Sequence, residues 1–489
     1  MEEIEDREQP GNRPTRMEAP SGLRNTMPEQ TKHTHPTANK QRWRRSFWLD
    51  LCIPLAMILI MFYGVARQIT KLDSDTARYQ CYATAFWYGS GALRTLPAQQ
   101  CAFMSHPAPE LTPLSQTTIV HWLQHLGITG TLTQIIAAQS PTRPFHALPH
   151  EYPLLPLLTF LPFLIAPAGW YQLAFATGMG IVALAIYLLL HRRSRGSGYA
   201  FALYLTLGSW ATALGRFDLL PAALTLYALL CAERAQWRRA FAVLALASMY
   251  KFYPAIVLLP LLIAWQRQLD GPWYSWRRLA EPAIFPSVCI LLAGISLLLN
   301  VEGTLAPLSY LGDRPLQVES VSASLVRLGS ILTGEPLQYV YSFGSRNVLS
   351  ALAPAITLGA LCVLLAGYAY VCWLYWSQRI ELAMSMLLIL FLVLITGKVF
   401  SAQYLIWVAP LVAYVGGQRR QWLIGWTSIS AITTLIYPFL YNRNSYPFGA
   451  LLPDFYITVL VRNILLCGFV GLILYQATRR RLKVDSYET

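Results

Sequence analysis

Apolar runs long enough to cross a bilayer recur along this chain, and short clusters of arginine and lysine separate them. A transmembrane helix needs about 20 apolar residues to cross about 30 Å of hydrocarbon. Of the 489 residues, 55% are hydrophobic and only 13% are charged, which excludes an ordinary soluble domain. The pattern predicts an all-α fold, a polytopic helical membrane protein with no attached soluble catalytic module.

The N-terminal segment differs from the rest of the chain. Residues 1–45 are rich in Glu, Arg, Pro, Thr and Asn and nearly lack large apolar side chains, so we expect a disordered cytoplasmic tail. The following apolar run is too long for a signal peptide and offers no small-x-small cleavage site, which favours an uncleaved first span. We expect one polytopic transmembrane domain to cover residues 46–484. A short cytoplasmic end covers residues 485–489.

Basic clusters predict the topology, because cytoplasmic loops carry an excess of Lys and Arg. These clusters begin at His191, Glu233, Arg267, Ser377, Gln418 and Arg479. With an apolar hairpin between consecutive clusters, the chain makes about 12 crossings and both termini are cytoplasmic. This parity requires that residues 152–168, which contain four prolines, form a re-entrant or interfacial helix. The outer segments are then residues 69–150, residues 301–347 and a short turn near Tyr441.

Two aspartates lie at the start of the first outer segment, in "LDSDTARYQCYATAFWYGSG". Ser74 or Asp75 can cap a helix, and apolar residues recur at helical spacing from Tyr79 onward, which predicts an amphipathic interfacial helix. A single carboxylate here would most simply be a capping residue. Because Asp73 accompanies Asp75, and other polar residues collect on the same side, the pair indicates a functional site.

Three outer turns place a cation within an apolar hairpin: "LGRFDLLP", "SMYKFYP" and "TGKVFSAQY". A Lys or Arg at the centre of a span costs about 2.5 to 3.5 kcal/mol. Each cation alone could extend to lipid headgroups. Together they predict a cationic collar that suits a phosphate or pyrophosphate. The collar comprises Arg216, Lys251 and Lys398, with Arg443 and Arg346 as further members. Asp218 is interpreted as a partner of Arg216 rather than as a catalyst.

The stretch "FHALPHEYPLLP" adds His146, His150 and Glu151 at the outer surface. Two histidines and one acid without cysteine are a weak zinc signal, and hydrogen bonding to a polar headgroup is the favoured interpretation.

Cysteine usage and net charge bound the partners. Cys81 and Cys101 share a predicted outer loop, and the sequence does not decide whether they form a disulfide. The other cysteines lie in or beside predicted spans. The formal charge of +14 needs no nucleic acid, because cytoplasmic anchoring arginines account for much of it.

Several segments together resemble glycosyltransferase family 87, whose members are integral-membrane transferases of the GT-C fold that use polyprenyl-phosphate sugars, typically mannose. "SDTARYQCYATAFWYG" is similar to the family's Asp-x-x-x-Tyr helix after the first span. "HEYPLLPLLTFLPF" resembles its Tyr-Pro-Pro-Leu segment, although Leu154 replaces the second proline. "SMYKFYPAIVLLPLL" resembles its Lys-x-x-Pro hairpin, and "KVFSAQYLIWVAPL" its Ser-x-Gln-Tyr segment.

The resemblance implies transfer of a hexose from a polyprenyl-phosphate donor to an acceptor hydroxyl on the extracytoplasmic side of the cell membrane. Mannose is the leading candidate for the hexose. The acceptor is a glycan, a glycolipid or a protein. Asp75 matches the catalytic aspartate and would act as general base in an inverting displacement, with Asp73 as a helper. Donor phosphate would bind Arg216, Lys251, Lys398 and Arg443. The expected substrate or headgroup contacts are Tyr79, His150, Glu151, Tyr152, Tyr253, Gln403 and Tyr404.

Three alternatives remain. "DSD" resembles the metal-binding Asp-x-Asp of soluble nucleotide-sugar transferases, but no strand–helix alternation accompanies it, so a reaction without metal or other cofactor is favoured. A transporter or lipid flippase would place its charges near the bilayer midplane and show internal repeats, which this chain does not convincingly contain. In a non-catalytic scaffold, every outer charge would serve as an anchor.

Overall fold

The computed structural model describes residues 36–105, 115–270, 272, 275–441 and 453–479; for residues 36–47 and Ser105 only the backbone is described. The chain divides into two units, residues 1–50 and 51–489. The first helix begins at Pro36, so residues 36–45 are helical, although the sequence predicted a disordered tail there.

Helices dominate the described residues, which confirms the all-α polytopic class. The first ten are α1 (Pro36–Ala66), α2 (Asp75–Tyr88), α3 (Ala98–Ser105), α4 (Gln116–His125), α5 (Thr131–Ala137), α6 (Leu154–Phe160), α7 (Tyr171–Arg193), α8 (Arg195–Ser209), α9 (Leu219–Glu233) and α10 (Trp237–Tyr250). The next ten are α11 (Leu258–Gln266), α12 (Trp276–Ala280), α13 (Ile284–Leu299), α14 (Val301–Asp313), α15 (Val321–Thr333), α16 (Ala353–Trp376), α17 (Leu382–Thr396), α18 (Tyr404–Gly416), α19 (Arg420–Thr434) and α20 (Pro453–Arg479).

Short helical turns of other types extend or connect these helices. The 3₁₀ turns are Ser90–Thr95, Leu161–Ile165, Ala168–Trp170, Ala213–Gly215 and Tyr253–Val257, and a π-helical turn, Leu435–Leu440, follows α19.

Five of the described helices are long and apolar enough to cross a membrane. They are Trp48–Ala66 within α1, Ala168–Arg193, Ala353–Trp376, Arg420–Leu440 and Pro453–Arg479. The α13–α14 pair is bent by 117° and gives a sixth span if it is counted as one. Several shorter apolar helices of 10–17 residues accompany them, so the expected number of about 12 crossings stays a prediction.

In the proline-rich segment 152–168, Ala168 already begins the next 3₁₀ turn, and α6 with the 3₁₀ turn that follows it covers residues 154–165. At 1.5 Å per residue, these residues extend roughly 18 Å, well short of the hydrocarbon thickness. This length favours the prediction that the segment does not span. Its placement as re-entrant or interfacial stays a prediction.

All three turns predicted within apolar hairpins are confirmed as helix breaks. Residues 210–218 separate α8 from α9, residues 251–257 separate α10 from α11, and residues 397–403 separate α17 from α18. Charged side chains therefore occupy non-helical backbone between apolar helices. The breaks bring Arg216, Lys251 and Lys398 out of the helical segments.

Residues 316–349, most of which belong to a segment predicted to lie outside the membrane, contain a small antiparallel sheet that the sequence did not predict. Its strands are β1 (Leu316–Gln317), β2 (Gln338–Ser342) and β3 (Ser345–Leu349), in the order β1-β3-β2. A small apolar core that includes Val318, Val348 and Phe455 packs the sheet against α20. This packing fixes the sheet to α20, which is long and apolar enough to cross a membrane.

Candidate functional site

The site begins at the first turn of α2, where Ser74 is the N-cap. Its hydroxyl accepts a hydrogen bond from the backbone N–H of Ala77 at 3.2 Å and donates one to Gln172 Oε1 at 2.9 Å. Of the two capping residues that the sequence allowed, the structure therefore selects Ser74. The carboxylate of Asp75 is left available for a tertiary contact.

Asp75 makes that contact with Arg216 in the break between α8 and α9. Its Oδ2 atom lies 2.5 Å from Arg216 Nη2, and each side chain is about a quarter exposed, 27% for Asp75 and 24% for Arg216. A charge-assisted contact of this kind orients both groups. The neighbouring Asp73 is exposed at the surface.

A second ion pair lies deeper, between Asp218 and Lys251. Asp218 Oδ1 is 2.5 Å from Lys251 Nζ and also accepts a hydrogen bond from the indole N–H of Trp407. Asp218 is fully buried. The prediction that Asp218 pairs with Arg216 is wrong, because Asp218 turns into the core beside Lys251 while Arg216 reaches α2. Burial lowers the pKa of Lys251, against the opposing effect of Asp218.

Aromatic rings connect the two ion pairs. Lys251 Nζ lies 4.9 Å from the centroid of the Phe217 ring. Phe217 in turn makes edge contacts with Tyr79, at 5.7 Å between centroids, and with Tyr152, at 5.0 Å. Stacked and edge-to-face rings of this kind add stability beyond their buried area. The aromatic cluster therefore holds α2 against the first helix break.

The remaining collar residues do not all point to this place. Lys398 Nζ donates a hydrogen bond to the carbonyl of Gly312 at 3.1 Å, which directs its charge toward α14. The Arg346 guanidinium lies 5.3 Å from the centroid of the Tyr441 ring. Arg443 lies outside the described residues. The structure thus brings Arg216 and Lys251 together with carboxylates, and places Lys398 on a backbone carbonyl.

The histidine-rich stretch is divided among different partners. His146 Nδ1 contacts the carbonyl oxygen of Leu299, and Glu151 pairs with Arg78 of α2. Burial lowers the pKa of His150. No group of three or more metal-ligating side chains occurs among the described residues.

The other predicted contact residues pack beside the second ion pair. Tyr253 stacks on Trp407 with centroids 4.2 Å apart, and Tyr404 stacks on the same indole at 3.9 Å. Gln403 Oε1 is buried without a hydrogen-bond partner within the described part of the chain. Because Trp407 donates a hydrogen bond to Asp218, the two tyrosines pack beside the Asp218–Lys251 pair.

A buried carboxyl group that the sequence analysis missed also belongs here. Glu319 is 2% exposed, and its backbone carbonyl accepts a hydrogen bond from the fully buried Arg462 at 2.6 Å. Burial raises the pKa of Glu319 to about 7, although Arg462 and Arg216 act in the opposite direction. The available signal was Arg462 itself, a lone cation inside an apolar run.

The Cys81–Cys101 disulfide, left open by the sequence, is present in the structure. It links α2 to α3, next to the buried side chain of Leu96. A covalent connection thus holds α2 to α3 within residues 69–150.

Comparison with known proteins gives a short match. No family model matches the chain. Over 83 residues, the chain is 35% identical to GPI mannosyltransferase 1 of Trypanosoma brucei brucei (strain 927/4 GUTat10.1). The match covers 17% of this chain and 19% of that protein's length. The resemblance to glycosyltransferase family 87 stays a prediction. Over its matched stretch, the chain is similar to a mannosyltransferase, which supports a glycosyltransferase-like membrane protein.

Proposed function

We propose that this protein is a membrane glycosyltransferase that transfers a hexose from a polyprenyl-phosphate donor to an acceptor hydroxyl on the extracytoplasmic side. Mannose is the leading candidate for the hexose. The observation that carries the proposal is the contact between Asp75 and Arg216, which places a carboxylate and a guanidinium 2.5 Å apart at the end of apolar helices. The partial identity to a mannosyltransferase supports the same reaction class.

The reaction assigns one task to each group. The Asp75 carboxylate takes the proton of the acceptor hydroxyl as the acceptor oxygen forms a bond to C1 of the sugar. The bond between C1 and the phosphate oxygen breaks, and its electron pair stays on the departing polyprenyl phosphate. Arg216 stabilises that charge. Because a guanidinium has five N–H donors, Arg216 can contact Asp75 and a phosphate together.

Attack and departure on opposite faces of C1 invert the anomeric centre. One base suffices, and no covalent sugar intermediate forms. We place Lys251 behind this site, where Asp218 holds it, as a source of positive charge for the phosphate. Asp73 is proposed to orient the acceptor, and a metal-free reaction remains the expectation.

The Cys81–Cys101 disulfide supports an extracytoplasmic location for α2, because disulfides persist in oxidising compartments. Single cysteines at Ser194 and Ser377, both exposed, should react with an impermeant thiol reagent from the cytoplasmic side only. Ser320 would suit an outer label by topology, but it is fully buried. The exposed Thr333 is the better outer position. A label at Thr333 that reacts from the cytoplasm would contradict the proposed sidedness.

The enzymatic proposal is tested with purified protein in nanodiscs and with vesicles that contain it. Labelled polyprenyl-phosphate mannose is supplied with candidate glycan, glycolipid and peptide acceptors. We expect transfer of the label to an acceptor and no net movement of the lipid between leaflets. Movement without transfer would favour the transporter alternative. The absence of both transfer and movement would favour the scaffold.

A further inference from the structure

The β2–β3 hairpin of the outer segment is firmly held. Its turn residues Phe343 and Gly344 both have positive φ, 53° and 67°, as two-residue hairpin turns require. Tyr310 of α14 donates a hydrogen bond to the Phe343 carbonyl at 2.9 Å. Asn347 donates one to the Ser342 carbonyl at 2.8 Å. The hairpin is therefore fixed both internally and to α14.

This hairpin lies next to the first turns of α2. A Cβ atom added to Gly344 would be 3.4 Å from Arg78 Nη1, so the turn backbone approaches the Arg78 guanidinium closely. Arg78 is held in turn by Glu151 and by the Phe103 ring, whose centroid is 4.5 Å away. Arg78 lies three residues after Asp75, which is nearly one helical turn. The hairpin thus borders the candidate site.

Tyr341 is the large exposed side chain at this border. It is 65% exposed, whereas Asn347 on the other face of the hairpin is fully buried. Its phenol is within electrostatic reach of Arg78, Asp75 and Asp73. The antiparallel register pairs Tyr341 with Arg346, so both side chains lie on the same face. An exposed aromatic ring thus shares a face with Arg346 on a hairpin whose turn approaches Arg78 of α2.

We propose that Tyr341 is the platform on which the pyranose ring of a carbohydrate acceptor stacks. The apolar C–H face of a sugar suits a flat aromatic ring, while the hydroxyl groups at the sugar's edge remain available to polar groups. Stacking there leaves an acceptor hydroxyl directed to Asp75. The proposal rests on the proposed function and narrows the acceptor to one that presents a sugar, rather than a peptide side chain.

Tyr341 is assigned to the acceptor rather than to the donor because of its position. The donor lipid enters from the bilayer, and its phosphate is expected at Arg216 between apolar helices. Tyr341 lies on the β2–β3 hairpin, whose turn approaches Arg78 in the first turn of α2. The competing explanation is an interfacial tyrosine that anchors the hairpin to lipid headgroups.

The test measures binding without transfer, so it is independent of the proposed reaction. Saturation-transfer NMR on the full chain in nanodiscs uses methyl α-D-mannopyranoside and methyl β-D-glucopyranoside as probes, with glycerol as a hydroxylated compound that has no ring face. The variants are Tyr341→Ala, which removes the ring, and Tyr341→Phe, which keeps it. Tyr88→Ala is the matched control, because Tyr88 is 60% exposed and lies at the far end of α2.

We expect the parent, Tyr341→Phe and Tyr88→Ala to give a signal for at least one glycoside and none for glycerol. In Tyr341→Ala, the glycoside saturation-transfer signal should fall about tenfold. The thermal unfolding midpoint should not change, because the Tyr341 side chain is exposed. Equal signals for Tyr341→Ala and the parent would overturn the proposal in favour of anchoring. A parent without a glycoside signal, or an equal loss in Tyr88→Ala, would overturn it as well. Glycoside binding with no transfer from any lipid donor would instead refute the proposed function.

Discussion

Asp75 and Arg216 meet across the fold, with Oδ2 of the aspartate 2.5 Å from Nη2 of the arginine. The aspartate is the first residue of α2, and the arginine lies in the break between α8 and α9. Because Ser74 caps the N-terminus of α2, Asp75 is not needed as the capping residue. The ion pair therefore joins a candidate base to a candidate phosphate ligand. Helix capping does not account for the presence of that carboxylate.

Asp75→Asn should abolish most transfer while the protein stays folded. Loss of a positioned general base is expected to lower turnover by about 10² to 10⁴. Stability should fall by only about 1 kcal/mol, since the pair with Arg216 is partly exposed and Ser74 still caps α2. Single-turnover transfer and thermal unfolding in detergent measure the two effects.

Asp73→Asn is the matched control for that variant, because Asp73 is exposed and lies only two residues earlier. It should lower turnover much less than Asp75→Asn. Normal turnover in Asp75→Asn together with an inactive Asp73→Asn would mean that Asp73 is the base. Normal turnover in both variants would show that neither carboxylate has a role in the reaction.

Lys251→Met should destabilise the protein more than any other collar substitution. It leaves the fully buried Asp218 without its counter-ion, and breaking a buried pair from one side costs about 3 to 5 kcal/mol. The double variant Asp218→Leu/Lys251→Met should regain much of that loss, because neither charge then remains. Thermal unfolding of both variants in detergent measures the difference.

Lys398→Met is the appropriate comparison, since the Lys398 ammonium makes a solvent-exposed hydrogen bond to the Gly312 carbonyl. Its unfolding midpoint should stay close to that of the parent. If Lys251→Met were as stable as the parent, the buried Asp218 would not depend on Lys251 as its counter-ion.

The sequence was sufficient for the features that depend on local patterns. Cations, glycines and prolines interrupt apolar runs at Arg216, Lys251 and Lys398, and all three interruptions are helix breaks. The helical spacing of apolar residues from Tyr79 onward likewise predicted α2. These features follow from hydropathy and backbone preference, which act over a few residues.

Pairings between distant segments were not predictable in the same way. Arg216 is two residues from Asp218, but packing turns the two side chains to different neighbours, and the arginine pairs with Asp75 instead. The β2–β3 hairpin was also missed, because its strands are only five residues long and their pairing depends on contacts outside the hairpin. Tertiary contacts decide such features.

Removal of the Cys81–Cys101 bond should loosen α2 from α3. Closing a loop of 20 residues stabilises a fold by about 3 kcal/mol in the chain-entropy treatment. Cys81→Ser/Cys101→Ser, or treatment of the parent with a reductant, should therefore lower the unfolding midpoint. Cys362→Ser is the control, because Cys362 is a free thiol on the exposed face of α16. A midpoint that does not change on reduction would mean that the bond is absent from the isolated protein.

Glu319 should make the protein less stable as pH rises toward neutrality. Burial raises its folded-state pKa from 4.5 to about 7 against the opposing charges of Arg462 and Arg216, and the phenols of Tyr404, Tyr437 and Tyr441 also lie within reach of its charge. A carboxyl group whose pKa is raised by folding favours the native state while it is protonated. Its contribution is complete below about pH 4.5 and is lost as pH rises through about 7, with a magnitude of about 3 kcal/mol.

Glu319→Gln keeps the size and polarity of the side chain but cannot ionise, so it isolates this effect. The free energy of unfolding of the parent in detergent should fall between pH 4.5 and pH 7.5 relative to that of the variant. Glu302→Gln is the matched control, since Glu302 accepts a hydrogen bond from the Gln116 backbone and lies in the first turn of α14. That control should keep the pH dependence of the parent. Parallel pH profiles for the parent and Glu319→Gln would show that Glu319 is ionised in the folded protein throughout this range, with Arg462 and Arg216 outweighing its burial.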